Sequence, residues 1–361
     1  MKKKEASKCR NILRKKMMRR IESAAILDHS SSHSESAHAS AQRAFVDWKA
    51  IATNLGRPKF DAAATTTVDL LGEIAIVLDD GSLTLQNGEL NYTAVWDHVR
   101  QTYGDQFDFV TFFTDFSVPF SYSFWSGIYL NTQGISPYTM PYDVRSDWNT
   151  TRLQGFHFIN PGHLDLMGVF LQEFGHQWSS YVYFADSPDS EDVNTDLLLD
   201  GEPGHWDHFM DDEHSPMDYD FQFTPYMSTH WKQREDDSSL FDYHAIEGIE
   251  YSDLDLYLMG LLPPEEVKPF YFIENPQQVG PQTWTGQRRD VGIEQVINAM
   301  GPRQAPPDLR INDFRNAWVL VTRDASLASK MAARLDDIRQ EFEMRYRIAT
   351  RCRGRVDTSL S

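Results

Sequence analysis

One short segment, 171–178 (Leu-Gln-Glu-Phe-Gly-His-Gln-Trp), carries residue types that could do chemistry together. Glu173 and His176 are three residues apart, so on a helix they occupy neighbouring positions. Gln172 is four residues before His176 and shares a helix face with it. An imidazole can bind a metal ion, and a nearby carboxylate can accept a proton from water. The segment lies in a helical pattern from 163 to about 184, which predicts a site carried on a helix.

A second group of potential ligands lies in 200–214 (Asp-Gly-Glu-Pro-Gly-His-Trp-Asp-His-Phe-Met-Asp-Asp-Glu-His). His205 is 29 residues after His176, and this chain length is enough to bring the second imidazole back to the first. His205 is therefore the first candidate for a further metal ligand, because zinc favours imidazole nitrogen. Surface positions in a polar loop are the alternative. The other candidates of this segment are His208, Asp211, Glu213 and His214.

Carboxylates dominate the chain around these candidates. No Lys or Arg occurs from Leu153 to Trp231, and thirteen Asp or Glu fall within 186–220. A field of this sign favours a bound cation, and Ca²⁺ accepts many carboxylate oxygens. The segment 186–196 (Asp-Ser-Pro-Asp-Ser-Glu-Asp-Val-Asn-Thr-Asp) could form an irregular calcium loop, although it lacks the Gly of an EF-hand loop. A solvated acidic loop is the alternative.

Composition and charge exclude several classes of protein. The chain has 361 residues, of which 41% are hydrophobic, so disorder of the whole chain is excluded. The net charge is −19, and residues 1–20 hold ten Lys or Arg and one Glu, which leaves 24 basic and 52 acidic residues in 21–361. A body this acidic repels a phosphate backbone, so we expect no nucleic-acid partner for it. Two cysteines exclude a disulfide scaffold, and no apolar stretch of ~18 residues predicts a transmembrane helix.

Residues 1–43 predict a disordered tail, basic at its start and rich in Ser and His towards its end. The apolar run at 24–27 is shorter than the ~7–15 residues of a secretory signal. An organelle transit peptide fits the same composition, so a cytoplasmic or organellar location stays open.

The remaining chain, 44–361, predicts one α+β domain with possible sublobes 44–185 and 186–361. Strand patterns occur at 73–85 (a hairpin that turns at Asp80-Gly81), 108–113, 127–130, 155–159, 269–273 and 317–322. Helical patterns occur at 44–53, 94–103, 163–184, 251–261, 291–300 and 325–348. The section 186–250 is rich in Pro, Gly, Asp and Ser and predicts loops. The helix at 251–261 could back the site, with its Asp side chains orienting ligands, or could simply pack its leucines.

The segment Gln172–His176 resembles the HExxH helix of the zincin metallopeptidases, in which two histidines bind Zn²⁺ and the Glu activates water. Residues 215–219 (Ser-Pro-Met-Asp-Tyr) resemble the S-x-M-x-Y turn of the metzincin subgroup. The resemblance implies an active-site helix packed on a mixed sheet, with Met217 beneath the metal and Tyr219 facing it. It also implies a protein that acts outside the cell.

The chain departs from the family pattern at three positions. Gln172 stands where the first histidine is expected, and an amide oxygen is a weaker zinc ligand than imidazole. Ser179 and Val182 stand where the metzincins have a glycine and a third ligand. The remaining ligand must therefore come from farther along the chain, from His205 or from an alternative such as Glu213.

The function implied by the resemblance is hydrolysis of peptide bonds in a peptide or protein substrate. Glu173 would act as general base and Tyr219 would steady the oxyanion, while His176, His205 and Gln172 would hold the metal. The alternative is a catalytically inactive protein that keeps the zincin fold for binding or as a scaffold and has lost zinc. A carbohydrate-active protein is a third possibility, because nine Trp and fifteen Tyr could stack on sugars.

Overall fold

Helices and β-strands alternate through most of the described chain. The computed structural model describes residues 68–130, 142–201, 204–212, 215–220, 227–246, 250–304 and 312–361. Its strands are β1 (Val68–Leu71), β2 (Ile74–Leu78), β3 (Phe109–Thr114), β4 (Phe124–Gly127), β5 (Tyr129–Leu130), β6 (Tyr142–Asp143), β7 (Gly155–Phe158), β8 (Met210–Asp211), β9 (Tyr219–Asp220), β10 (Met227–Gln233), β11 (Leu240–Ile246), β12 (Phe270–Gly280), β13 (Thr283–Val291), β14 (Asp313–Thr322) and β15 (Arg355–Asp357). Its α-helices are α1 (Tyr92–Tyr103), α2 (Met167–Gly175), α3 (Asp253–Leu258), α4 (Ile293–Met300) and α5 (Ala325–Ala349).

A mixed seven-stranded sheet forms the centre of the fold. Its strand order is β1-β2-β14-β3-β7-β4, with β15 paired to the first residues of β14. The inner strands β2, β14, β3 and β7 are parallel, whereas β1 and β4 run antiparallel to their neighbours. All six residues of β3 are buried, as expected for a strand covered on both faces.

The two faces of this sheet are covered by different helices. Phe109 and Phe113 of β3 pack with α2 and α5 in one apolar core, which includes Phe174 and Phe342. The intervening residue Val110 packs on the opposite face in a second core with α1. Because side chains alternate along a strand, β3 contributes to both cores at once. The helix α2 therefore packs between the sheet and the long helix α5.

A second, antiparallel sheet of six strands has the order β8-β12-β13-β11-β10-β9. Its own aromatic core contains Trp231, Tyr271 and Trp284, among others. The α+β class predicted from the sequence is therefore confirmed, with one mixed and one antiparallel sheet. No helix of the described residues is long and apolar enough to cross a membrane.

Several predicted elements differ from the structure. The hairpin predicted at 73–85 is wrong, because β2 pairs with the preceding β1 and with β14, and only an isolated bridge at Thr84 follows it. Asp79 explains the difference: its Oδ1 accepts hydrogen bonds from the amides of Gly81 and Leu83, which holds this stretch as a turn.

The section 186–250, predicted as loops, also contains β8 to β11, and β13 is a further strand that the sequence patterns missed. In β11 and β13, which are antiparallel to their neighbours, exposed or half-buried residues separate the buried ones, so no apolar run forms. The predicted tail at 1–43 and helix at 44–53 lie outside the described residues, and the boundary at residue 44 stays a prediction.

Candidate active site

The helix α2 ends at the residue that carries the candidate chemistry. The predicted helix from 163 to 184 is wrong in length, since α2 spans Met167–Gly175 and His176 is its C-terminal cap. The amides of Trp178 and Ser179 both bond the carbonyl of Gly175, and Ser180 adopts a left-handed conformation with φ 67°. The chain therefore turns sharply away after His176, so that its imidazole lies at a helix end and is partly exposed.

The tertiary fold brings His205 to this helix end. The ring centroids of His176 and His205 are 5.0 Å apart, with the rings at 79° to each other. The Gln172 side-chain amide donates to His205, with 2.5 Å between the two Nε2 atoms. The indole of Trp125, on the edge strand β4, stacks on His176 at 6.3 Å. Gln172, His176 and His205, which we call the imidazole cluster, thus come together although His205 is distant from the other two along the chain.

Both imidazoles of the cluster are neutral at physiological pH. Burial lowers the pKa of His205 to about 4, and the neighbouring His208 adds to this effect. Burial also lowers the pKa of His176 well below its usual range, and the two imidazoles of His205 and His157 lower it further. A neutral imidazole has a nitrogen lone pair, which is the form that binds a metal ion.

Glu173 is buried beside this cluster, with 5% of its surface exposed. Loss of hydration raises its pKa to about 8, and a hydrogen bond with the Trp125 backbone offsets part of that rise. The carboxyl group is therefore largely protonated at neutral pH unless a positive charge approaches it. A carboxyl whose pKa lies close to neutral is suited to accept and release a proton.

Met217 lies directly against the end of α2, as the resemblance implied. Its side chain is fully buried, and a Cβ added at Gly175 would overlap Met217 Sδ. The Trp206 amide donates to the Met217 carbonyl at 3.1 Å, which ties the turn to the residue after His205. Gly175 is therefore required by close packing, which explains a glycine in the last turn of this helix.

Behind the imidazole cluster, one buried carboxylate joins four chain segments. Asp255 of α3 accepts hydrogen bonds from the Ser179 hydroxyl, from Trp206 Nε1 at 3.0 Å, from the Ser215 hydroxyl at 2.6 Å and from both the amide and the hydroxyl of Ser252. These donors come from the turn after His176, from the residue after His205, from the turn of Met217 and from the start of α3. Asp255 thus ties together the segments that carry His176, His205 and Met217.

The sequence left two roles open for α3, backing the site or packing its leucines, and it did not distinguish Asp255 from Asp253. The capping pattern Ser-x-x-Asp at 252–255 was the available signal, and it indicates only a helix start. No sequence pattern predicted that Trp125 stacks on His176, because β4 is about fifty residues earlier in the chain. Ser179 and Val182 are both fully buried, in keeping with the departure from the metzincin pattern at these two positions.

Two other predicted ligands, His208 and Asp211, are bonded to strands of the antiparallel sheet. Asp211 belongs to β8 and accepts hydrogen bonds from the Tyr271 hydroxyl at 2.9 Å and the Trp231 amide at 3.3 Å. The carbonyl of His208 accepts from Trp231 Nε1 at 2.7 Å. Glu213 and His214 lie outside the described residues. Tyr219 has its backbone in β9, and its side chain is outside the described part.

The acidic segment 186–196 is tied to neighbouring elements at its start. Asp186 forms an ion pair with Arg289 at 2.7 Å and accepts from the Gln295 amide at 2.7 Å. Its carboxylate oxygens are therefore already engaged, and a calcium loop in this segment stays a prediction.

The donors of the imidazole cluster fit zinc with two strong ligands and one weak ligand. Within the described ranges, no group of three His, Cys, Asp or Glu side chains is arranged to hold a metal ion. The third donor at His176 and His205 is Gln172, whose amide oxygen and nitrogen exchange places on rotation of the terminal bond. The cluster can therefore offer two neutral imidazoles and one amide oxygen, with Glu173 adjacent as a proton acceptor.

No family model, no curated protein and no solved structure matches this chain.

Proposed function

We propose that this chain is a metal-dependent peptidase of the zincin type. The observation that carries the proposal is the meeting of His176, His205 and Gln172 at the end of α2, where Gly175 packs against Met217. Two imidazoles, an adjacent Glu and a methionine floor occur in the order that the zincin resemblance implies. His176 and His205 would hold zinc, with Gln172 as the weak third ligand and Glu213 as the alternative.

Zinc bound there would supply Lewis-acid polarisation of water and of the scissile carbonyl. The residues of the chain provide the remaining parts of the site. With zinc bound, Glu173 would accept a proton from the attacking water and deliver it to the leaving amine, because the positive charge of zinc would lower its pKa from about 8. We assign stabilisation of the oxyanion to Tyr219, from the place of this residue in the turn. The substrate would be a peptide or protein, and an extracellular location follows from the resemblance alone.

The second candidate function is binding without catalysis, on a zincin-like fold that has lost zinc. The hydrogen bond between Gln172 and His205 favours it, because this bond occupies one imidazole nitrogen that zinc would need. The amide must give up its bond with His205 before zinc binds. An imidazole at position 172 would provide a third strong ligand in place of the amide.

Replacing residue 172 separates the two candidates. We expect Gln172→His to tighten zinc binding by at least about tenfold in calorimetric titration of the full chain, because imidazole is the better donor. Gln101→His is the matched control, since it adds a histidine at an exposed position of α1. Loss of zinc binding in His176→Ala would place the metal at this cluster.

The catalytic role of Glu173 is tested with Glu173→Gln. We expect this variant to keep zinc and to lose casein hydrolysis, because Glu173 moves the proton and is not a ligand. If wild type and Gln172→His both fail to bind zinc, the peptidase proposal is wrong and the binding function is favoured. Hydrolysis that survives in Glu173→Gln would also contradict the assigned role.

A further inference from the structure

A second polar group, distinct from the imidazole cluster, is bonded to the Met217 turn through Ser215. Asp212 and Asp218 flank this turn and are 3% and 1% exposed. Together with Asp255, which is fully buried, they form what we call the carboxylate cluster. All three are bonded to one residue: the Ser215 amide donates to Asp212, the Ser215 hydroxyl donates to Asp255, and the Ser215 carbonyl accepts from the Asp218 amide.

Two oxygen atoms of this cluster lack a hydrogen-bond partner. Asp212 Oδ2 and Asp218 Oδ1 are both buried, and neither has a partner among the described residues. The opposite oxygens are satisfied, since Asp212 Oδ1 accepts from the Ser215 amide at 3.3 Å and Asp218 Oδ2 accepts from the Thr229 hydroxyl at 3.0 Å. A buried carboxylate oxygen without a partner is costly, and two in one turn need a common explanation.

Among the described residues, the charged groups that act on these two carboxyls are other carboxyls. Burial raises the pKa of Asp212 well above its usual range, and the carboxylates of Asp218, Asp255 and Asp211 raise it further. The pKa of Asp218 is raised by burial and by Asp255 and Asp211, against hydrogen bonds from Ser228 and Thr229. A cation is the group that would remove this cost, since it neutralises the charges and fills the free oxygens.

We propose that Asp212 and Asp218 hold a hard divalent cation of the calcium class beneath the Met217 turn. The available donors are oxygen atoms, which suits Ca²⁺ rather than a transition metal. Within the described residues, no third Asp, Glu, His or Cys side chain is arranged to bind the same ion as these two. Backbone carbonyls and water complete the coordination, as they commonly do for Ca²⁺. The ion would lock the turn that carries Met217, and its binding does not depend on zinc in the imidazole cluster.

The test is calcium titration of the full chain after treatment with a chelator and removal of zinc. We expect CaCl₂ to bind in calorimetry and to raise the Tm by several degrees, because a ligand that binds the folded state stabilises it. MgCl₂ should raise the Tm less, because Mg²⁺ demands a stricter octahedral geometry. Asp218→Asn and Asp212→Asn should each weaken calcium binding by more than about tenfold, since the number of charged ligands sets the affinity.

Asp192→Asn is the control, because Asp192 is an exposed carboxylate of the segment 186–196. If Asp192→Asn abolishes the calcium response and Asp218→Asn does not, the ion belongs to the exposed segment and the proposal is overturned. A wild type without calcium response also overturns it, and Asp218→Asn of equal or greater stability would then indicate that the two carboxyls share a proton. Should Asp212→Asn fail to fold, Asp218→Asn and the wild-type titration decide the question.

Discussion

The imidazole cluster and the carboxylate cluster are both connected to the Met217 turn, but the buried polar groups of the two clusters are accommodated differently. His176 and His205 are partly exposed and stay neutral, because burial lowers their pKa values. Asp255 is fully buried and accepts five hydrogen bonds from four residues. The first cluster presents neutral imidazoles at a helix end, whereas Asp255 of the second uses both of its carboxylate oxygens to hold the chain in place.

The difference indicates a division of labour between chemistry and positioning. A group that must bind a ligand needs access and a lone pair, so its hydrogen bonds are few. A group that joins distant segments needs many donors, because each buried oxygen without a partner costs free energy. The four predictions below change buried groups that support these clusters.

Removing the charge of Asp255 should have the largest effect. Asp255→Asn replaces one acceptor oxygen by a donor that faces the hydroxyls of Ser179 or Ser215, so we expect the free energy of unfolding to fall by about 3–5 kcal/mol. Chemical denaturation measures this loss, and Glu265→Gln, at an exposed carboxylate just after α3, is the control. An effect no larger than that of the control would show that Asp255 does not hold the segments together.

The next largest effect concerns acid stability. Burial lowers the pKa of His157, which lies in β7 below α2, from 6.5 to about 3. The folded state then binds fewer protons than the unfolded state between these two values, so stability is full above pH 6.5 and falls as pH decreases below it. The free energy of unfolding of wild type falls between pH 7 and pH 4, and we expect His157→Gln to make this fall smaller by about 3 kcal/mol.

Urea unfolding of wild type and His157→Gln at several pH values measures this difference. His98→Gln, on the partly exposed surface of α1, is the control. Identical pH profiles for wild type and His157→Gln would contradict the buried neutral state of His157.

A third prediction tests the contact between α2 and the turn. Gly175→Ala places a methyl group against Met217 Sδ, so we expect a loss of about 1–3 kcal/mol in the free energy of unfolding. The double variant Gly175→Ala/Met217→Ala should lose less stability than the two single variants together, because the smaller side chain at 217 makes room for the methyl group. Gly292→Ala is the control, since a Cβ there meets nothing within 4 Å. Full additivity would mean that the two residues do not touch.

The smallest effect is expected from removing one donor to Asp255. Trp206→Phe keeps the aromatic ring but loses the hydrogen bond from Nε1, which should cost about 1–2 kcal/mol of stability. Trp96→Phe is the matched control, because Trp96 is fully buried and its Nε1 has no partner among the described residues. Thermal unfolding of the two variants compares them, and a smaller loss in Trp206→Phe than in Trp96→Phe would count against the bond.

Strongly periodic or continuous apolar segments were readable from the sequence. The strands β3 and β7 and the helices α1, α4 and α5 lie close to where their patterns predict them, since each buries a continuous or amphipathic face. Residue spacing also predicted Gln172, Glu173 and His176 on one helix. The resemblance of the Ser-Pro-Met-Asp-Tyr segment predicted that Met217 lies beneath the site. These features depend on local geometry, which neighbouring residues dictate.

Only the tertiary structure decided which distant residues join them. His205 was one of several possible ligands until the fold placed its ring 5.0 Å from that of His176. The helix α2 ends at Gly175, which packs against Met217, and Ser180 with its positive φ lies in the turn that follows. Neither residue changes the apolar pattern that predicted a longer helix. Asp255 had an ordinary helix-start pattern, yet it gathers donors from residues up to 76 positions away. Such contacts follow from packing between segments far apart in the chain, and for that reason no local pattern encodes them.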